Sequence, residues 1–466
     1  MGETRDCRPF LQPTSVAVVG ASERLTSSGG AVLRNLVASK YPGEIIPVNP
    51  RGGDVLGIPA KTSLSDLPGP ADLAVIVVRP DLILDIGDEA AASGHKNLMI
   101  LPGGFREAGP DGEARERELL RKTEAAGITV FGPNSAGCIH LTESAPFAAT
   151  FLRDLPVGGG IAVISQSGAI TEEIVAAGNA RGLPISTIVS VGNAVHLEVA
   201  DYMSYLGEQD ACTCVLLYIE SIADTDRFAE VARSVVAKKP VVAMVGGRTG
   251  QGGNAVRNHT GGVAMPDAEA EAFLRSCGVI RVKSLRQFLL AAKGFGFHPQ
   301  GFGKRVLLFS NSGGPGVITT DRIIDGGLEM PPLPNAYAAD LAALMPPEAA
   351  VANPIDMLAD AREDRFGPAF SSALRHGSEQ FDAILMIHVV PFMVDASPII
   401  DELARLAKDS PLPLLHSMMG TLEHKQEWFA TMEAAGVAMF NDCEEMAETA
   451  SLLAQYPPLK AAVNGG

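Results

Sequence analysis

The residues best suited to chemistry lie in one stretch, GGRTGQGGNAVRNHTGG (246–262). Seven of its seventeen positions are glycine, and no apolar periodicity runs through it. Such a segment reads as a loop, because each glycine forgoes side-chain packing and adds backbone entropy cost. Amid these backbone N–H groups it carries a single imidazole, His259. A histidine can act as a nucleophile through one ring nitrogen while an acceptor holds the other. A glycine-rich backbone suits the phosphate that such a nucleophile would accept. Alone, the pattern fits an ordinary surface loop equally well, and the rest of the chain has to decide.

Three further motifs sit where strands end. LYIES (217–221) closes an apolar run on Glu220, a carboxylate placed to accept the Nδ1–H of a histidine. ISQSGAITEE (164–173) ends a strand and starts a helix, gathering Ser165, Gln166, Ser167 and Gly168 at the partly positive helix start. Serine N-capping alone would also explain that sequence. VVGASERLTSSGG (18–30) offers Gly20, Ala21 and Ser22 after a strand, and the next strand ends in Asn49-Pro50. A nicotinamide site would want closer glycines and an acidic residue about 20 positions on, so an adenine nucleotide with another tail fits better. LPGGF (101–105) and GPNSAG (132–137) end two strands of the same series, bringing Gly103, Gly104 and Asn134 toward one crevice.

The elements that must position these groups repeat as apolar strand, loop and amphipathic helix. Uninterrupted apolar strands such as 71–80, 160–168, 214–220 and 381–390 alternate with helical segments. That alternation predicts α/β architecture: three consecutive doubly wound domains with mainly parallel sheets, covered on both faces. The expected domains are 1–145, 150–297 and 304–460, with a polar, Pro/Gly-rich boundary near 142–160 and a linker at HPQGFGK (298–304). VVGAS, ISQSG and FSNSGG each finish a strand and open a helix, which suggests anionic ligands in more than one domain.

Composition narrows the function classes. The 466 residues hold 37 basic and 54 acidic side chains, a net charge of −17, which disfavours nucleic acid and anionic membranes as partners. No apolar run approaches the ~18–20 residues of a membrane span, and MGETRDCRPFLQP lacks a signal-peptide core. Six sparse cysteines fit reduced thiols in a cytoplasmic protein. Cys212 and Cys214 alternate within a strand and read as small buried residues rather than metal ligands, and no metal site is expected. His388 and His416, near strand ends of the last series, read as structural.

Taken in order, the motifs resemble the nucleoside-diphosphate-forming acyl-CoA synthetases, the superfamily that includes succinyl-CoA synthetase. VVGAS, VNP, GGF with Glu107, and GPN resemble its CoA-binding domain. SQSG, GN (192–193), YIE and GR…HTG resemble its phosphohistidine domain, and SNSGGPG with NPID (353–356) the third domain of the acetate-type, ADP-forming enzymes. The resemblance implies a Rossmann-like CoA-binding domain followed by two flavodoxin-like ones. It makes His259 the phosphorylated residue and Glu220 the holder of its ring. Ser165, Gln166, Ser167, Gly168 and Gly261 would receive the phosphoryl group. Gly20, Ala21, Ser22, Asn49, Pro50, Gly103, Gly104 and Asn134 would line the CoA site. ATP or ADP with Mg would enter through a separate ATP-grasp β-subunit, in an α2β2 assembly, since no ATP-grasp domain and no GxxxxGK[ST] loop is found here. Glycine-rich mobility around His259 would let the phosphorylated segment travel between two active sites. The sequence departs from the family pattern at Val245, Asn258, His196 and Arg79, which leaves the acid open. A non-catalytic CoA-binding regulatory protein of the same fold is the alternative, and it would have no use for His259, Glu220 and SQSG together.

Overall fold

The computed structural model describes residues 5–465 apart from 25, 144, 261, 378, 393 and 421–422, and describes 258–260 by backbone only. The chain divides into two compact units, Met1–Ala292 with Val463–Gly466, and Lys293–Ala462. Among the described residues, no helix is long and apolar enough to cross a membrane.

The first unit carries two main sheets. One is fully parallel, in the order Glu44–Val48, Ser15–Val19, Leu73–Ile76, Asn97–Ile100, Thr129–Phe131. The other has seven strands. Its parallel part runs Ile280–Val282, Val241–Val245, Cys214–Ile219, Ile161–Ser165, Ile185–Ser190, and two antiparallel strands, Gly137–His140 and Phe147–Thr150, extend its far edge. The second unit holds a parallel sheet ordered Ile355–Asp356, Val306–Ser310, Ala383–Val390, Leu414–Gly420, Ala438–Phe440. Strand residues such as Val16–Val18, Ile161–Ile164 and Ala383–Ile387 are buried throughout, as sheets covered on both faces require.

Counted within each sheet, the parallel strands follow the order 2-1-3-4-5 three times. In that order the chain reverses direction across the sheet between strands 1 and 3, and ligands bind beyond the carboxyl ends at this switch point. VVGAS, ISQSG and FSNSGG all follow strand 1 of their sheets. The last two are built alike. Ser165 Oγ donates to the Ser167 carbonyl at 2.9 Å and accepts from the Ser167 N–H at 3.1 Å; Ser310 does the same with Ser312 at 2.7 and 3.0 Å. The intervening amide, Gln166 or Asn311, then reaches across to the backbone at the end of strand 3.

Two expectations change. The chain leaves the first sheet after Phe131 and has joined the second by Gly137, upstream of the compositional boundary at 142–160. The strand FAAT (Phe147–Thr150) is fully buried and paired, although it lies in a stretch rich in turn formers. Tertiary pairing outweighs weak strand propensity there. The glycine-rich segment is the second change: Gly250–Thr260 is an α-helix, not a loop. Thr249 starts it, with its Oγ1 accepting from the Gly252 N–H at 3.1 Å and its carbonyl from the Gly253 N–H at 2.7 Å. A Cβ on Gly252 would sit 3.2 Å from the Gly247 Cα, so glycine lets the first turn pack onto the preceding bend. The helix still forgoes about 1 kcal/mol relative to alanine at each of Gly250, Gly252 and Gly253.

His388 and His416 lie on adjacent strands of the third sheet, buried and stacked at 6.0 Å between ring centroids. Burial pushes the His388 imidazole down to about 4 and His416 well below its ordinary range.

Candidate functional site

The first unit contains a crevice of about 770 Å³ that joins its two switch points. From the first sheet come Gly20 and Ser22 after strand 1 and Val77 after strand 3. Gly20 has φ +94°, and a Cβ there would lie 2.4 Å from the Val77 carbonyl oxygen. Gly103 and Asn134 form the near wall, and Gln166, Ser167 and Gly168 of the second sheet form the far end. Arg24 and Arg79 also line the crevice, and no aspartate or glutamate does so among the described residues. Arg79 pairs with Asp81 just outside the lining at 2.9 Å, so within a chain of net charge −17 the wall itself carries two guanidinium groups and no carboxylate among the described residues, which suits a polyanionic ligand. The sequence reading passed over both arginines. Arg79 stood out there only as a departure from the family pattern, and nothing in the local sequence tells which way either guanidinium faces.

The other expected ligand-contacting groups have different placements. Asn49 Nδ2 donates to the Ala21 carbonyl at 2.8 Å, and its Oδ1 accepts from the Arg51 N–H. Asn49 and Ala21 therefore brace the first turn, while Pro50 is exposed beside them and does not line the crevice. Gly104 also lies off the lining; its N–H donates to Glu107 Oε1 at 2.6 Å. Ser165 is fully buried, and its hydroxyl is engaged within the turn. Ser167 Oγ caps the helix Gly168–Ala180 by accepting from the Ile170 N–H at 3.4 Å. Gly168 and Ala169 open that helix on the crevice, where the first-turn N–H groups have no intrahelical acceptor.

Gln166 ties this turn to Glu220. Its Oε1 accepts from the Glu220 N–H at 2.5 Å and the Ser221 N–H at 3.0 Å, and its Nε2 donates to the Ser221 carbonyl at 2.9 Å. The Gln166 amide thereby holds the Glu220 turn, and its side chain also lines the crevice. Glu220 is 5% exposed, and the Tyr218 hydroxyl donates to its Oε1 at 3.3 Å. Burial, with the Glu220 carboxylate, pushes the Tyr218 phenol up to about 12, so it stays a donor at neutral pH. His259 lies on the backbone of the helix Gly250–Thr260, but its side chain falls outside the described residues, as does Gly261.

A second cluster joins the two sheets of this unit. Gly192, at φ +58°, packs where a Cβ would meet the Pro133 carbonyl oxygen at 2.2 Å. This seats Asn193, 2% exposed, against the first domain. Its Nδ2 donates to Glu107 Oε2 and to Glu116 Oε2, both at 2.8 Å, and its Oδ1 accepts from Asn134 Nδ2 at 3.3 Å. Arg106 pairs with Glu116 at 3.2 Å and donates to the Asn193 carbonyl. Burial opposes the charge on Glu107, but the Asn193 amide and the N–H groups of residues 104, 105 and 107 outweigh it and hold the carboxyl below its usual range. His196 adds a second strap: its Nδ1 accepts the Val130 N–H at 3.0 Å, on the edge strand of the first sheet.

The comparisons with known proteins agree with this layout. Residues 14–141 match the CoA binding domain family, and residues 158–295 match the succinyl-CoA ligase like flavodoxin domain. The chain is 33% identical over 464 residues to the acetate–CoA ligase (ADP-forming) II α-subunit of Pyrococcus furiosus, covering 98% of this chain and 99% of that one. It is 28% identical over 414 residues to the 4-hydroxybutyrate–CoA ligase (ADP-forming) of Nitrosopumilus maritimus, which takes in 88% of this chain and 59% of that relative. Among solved structures, the dinucleotide forming acetyl-coenzyme A synthetase 1 of Ca. Korarchaeum cryptofilum, in complex with phosphate and ADP, matches with a TM-score of 0.92 at 28% identity, over 99% of this chain and 98% of that one. With a CoA-binding domain, a succinyl-CoA ligase like domain and this full-length similarity, the chain belongs to the ADP-forming acyl-CoA synthetase family, as a chain of its α-subunit type.

Proposed function

We propose that this chain is the α-subunit of an acid–thiol ligase interconverting carboxylic acid, CoA and ATP with acyl-CoA, ADP and phosphate, by way of a phosphohistidine at His259. The observation that carries the reading is the positive crevice running from the Gly20 turn to the Ser167–Gly168 helix start, with Glu220 fixed behind it through Gln166. Its volume of about 770 Å³ lies within the ~300–1,000 Å³ of small-molecule and cofactor sites.

In the forward direction the γ-phosphoryl group of ATP moves to a ring nitrogen of His259, and ADP leaves. Glu220, accepting the N–H of the other ring nitrogen, keeps the attacking nitrogen unprotonated. The phosphoryl group, with ~2 negative charges by analogy with phosphoserine, faces the N–H groups of Gly168 and Ala169. A helix start of this kind is worth ~0.3–1 kcal/mol when exposed and up to ~2 when partly buried, enough to stabilise the intermediate without making it inert. A carboxylate oxygen of the acid then takes the phosphoryl group, freeing His259. The CoA thiolate adds to the acyl carbon, the C–O bond to phosphate breaks, and phosphate departs. The first transfer needs a nucleotide site; an ATP-grasp β-subunit carrying ATP and Mg, in an α2β2 assembly, would supply it, consistent with the α-subunit designation of the P. furiosus relative. The glycine-weakened helix at 250–260 is suited to local unwinding when His259 moves between the two sites.

The test is incubation of the chain with labelled ATP and its ATP-grasp partner. Acid-labile phosphate on the wild-type chain and none on His259→Ala is expected. Label that persists in His259→Ala, or no label in the wild type despite CoA binding, would favour a non-catalytic CoA-binding protein.

A further inference from the structure

One aromatic ring in the crevice wall has no part in the transfers described above. Phe151 is 39% exposed and lines the crevice, as do Ala136, Gly168 and Ala169. Of the 18 phenylalanines in the sequence, only Phe151 and Phe392 are exposed among the described residues. The neighbours on either side, Thr150 and Leu152, are both buried. The chain thus turns this one side chain outward at the end of the buried strand Phe147–Thr150.

The ring is held there. Asn35, buried on the helix Ser28–Ala38, donates through Nδ2 to the Thr150 carbonyl at 2.8 Å and to the Leu152 carbonyl at 2.9 Å. The Leu152 N–H donates to Thr150 Oγ1 at 3.1 Å, and that hydroxyl donates to the Ala136 carbonyl at 2.6 Å. The backbone is therefore fixed on both sides of Phe151. An isolated apolar side chain on a loose surface needs no explanation. One clamped at a crevice wall offers a preorganised apolar face, which a ligand can cover without first ordering it. Its place along the crevice follows from the same contacts. Thr150 pairs with Gly137, and a Cβ on Gly168 would lie 3.5 Å from the Ala136 Cβ. Phe151 shares the Ala136–Gly168 end of the crevice, whereas Arg24 and Arg79 belong to the turns of the first sheet.

We propose that Phe151 packs against the thiol-bearing arm of CoA, not its nucleotide end, and thereby determines how tightly the arm is held where the thiol reacts. This rests on the ligase reading, in which the phosphoryl group faces Gly168 and Ala169. The two ends of the ligand differ in the way the two ends of the crevice do. Phosphates on the nucleotide end suit the guanidinium groups. The arm is uncharged and carries two methyl groups on one carbon, a surface that gains from covering an exposed ring.

The test compares two ligands on the full chain by calorimetry: CoA, and adenosine 3′,5′-bisphosphate, which keeps the nucleotide end and lacks the arm. Covering the exposed part of the ring, about 80 Å² of a side chain that buries ~150–250 Å², at ~25 cal/mol per Å² corresponds to roughly 30-fold in affinity. Phe151→Ala is therefore expected to weaken CoA binding by about 10–30-fold and to leave the bisphosphate within about twofold, the range of neutral surface changes. A merely structural role would weaken both ligands alike. Phe151→Trp keeps an aromatic face and adds a reporter, since the single tryptophan of the chain, Trp428, is buried in the second unit. The emission of the new indole should shift with CoA and not with the bisphosphate. Equal losses for the two ligands, unchanged CoA affinity in Phe151→Ala, or an indole that answers both ligands alike or neither, overturns the assignment. Labelling of His259 from ATP in the wild-type complex with the ATP-grasp partner separates the two levels. With label present, a failed comparison removes the Phe151 assignment alone; without label, the ligase reading falls and the assignment with it.

Discussion

Asn193→Asp changes one atom in the cluster that joins the two sheets of the first unit, and its effect can be worked from the distances. The native Nδ2 donates to two carboxylates at 2.8 Å each. Hydrogen bonds to charged groups contribute ~1.5–3 kcal/mol, so losing both removes about 3–6 kcal/mol. The new carboxylate oxygen also faces Glu107 and Glu116, where a like-charge pair at ~4 Å costs ~4 kcal/mol at an effective dielectric constant of 20. The protein relieves that repulsion by holding a proton, which raises the pKa of one acid in the cluster. The sign follows. A folded-state pKa raised above the unfolded value of ~3.9 for Asp or ~4.3 for Glu means that the folded variant binds more protons than the unfolded one in that window, so its stability falls as pH rises through the raised pKa. The penalty relative to wild type should therefore be largest near pH 8, at no less than about 3 kcal/mol, and should shrink toward pH 5.5. Urea unfolding of the full chain at both pH values, followed by circular dichroism, reads this directly. A variant within about 0.5 kcal/mol of wild type, the range of neutral surface changes, or a penalty independent of pH, would refute the assigned geometry.

Other perturbations probe other parts of the account. Gln166→Met keeps the side-chain length but removes three hydrogen bonds at the Glu220–Ser221 backbone; it should destabilise the first unit by about 2–4 kcal/mol in urea unfolding and slow His259 phosphorylation, whereas unchanged stability would mean that the amide does not hold the two turns together. Gly20→Ala sets a Cβ against the Val77 carbonyl at positive φ; a strain of ~1–3 kcal/mol should appear in the unfolding midpoint together with weaker CoA binding by calorimetry, and wild-type values for both would contradict the crevice geometry. Acid should destabilise the first unit: burial pushes His140 and His196 down to about 4, so the stability of their neutral forms is fully present above the unfolded pKa of ~6.5 and is lost as pH falls toward 4. Each contributes up to about 3 kcal/mol, and His196→Gln, which keeps an acceptor for Val130, should flatten part of the decline in urea midpoint between pH 7.5 and 5; an unaltered slope would contradict the assigned role of His196.

The α/β fold was legible because both faces of each sheet are covered, so strands such as Val16–Val19 and Ile161–Ile164 read as unbroken apolar runs. Turn residues were legible for the same reason: strand 1 of each sheet must end in small residues where a helix starts. Partners distant in sequence were not. Asn193 looks like one half of a Gly-Asn dipeptide until Glu107 and Glu116, 86 and 77 residues earlier, are brought against it. Nor does the segment around Gln166 give any sign that its amide will hold the backbone of Glu220 and Ser221. The helix at 250–260 was hidden by composition, since glycine argues against helix unless close packing requires it, as the approach of Gly252 to Gly247 does. The strand Phe147–Thr150 was hidden in the opposite way, by turn formers around a short alanine-rich segment that only pairing with Gly137–His140 makes a strand.

Whether His259 carries phosphate between acid activation and the nucleotide can be read in the reverse direction with no nucleotide present. The complex of the chain with its ATP-grasp partner is incubated with acyl-CoA and labelled inorganic phosphate, and acid-labile, base-stable label on this chain is measured. Label is expected on the wild type, none on His259→Asn, and much less on Glu220→Gln, which keeps the size of the side chain but loses the charge that orients the ring. Label that survives in His259→Asn, or a wild type that binds CoA yet acquires no label from acyl-CoA and phosphate, would contradict it.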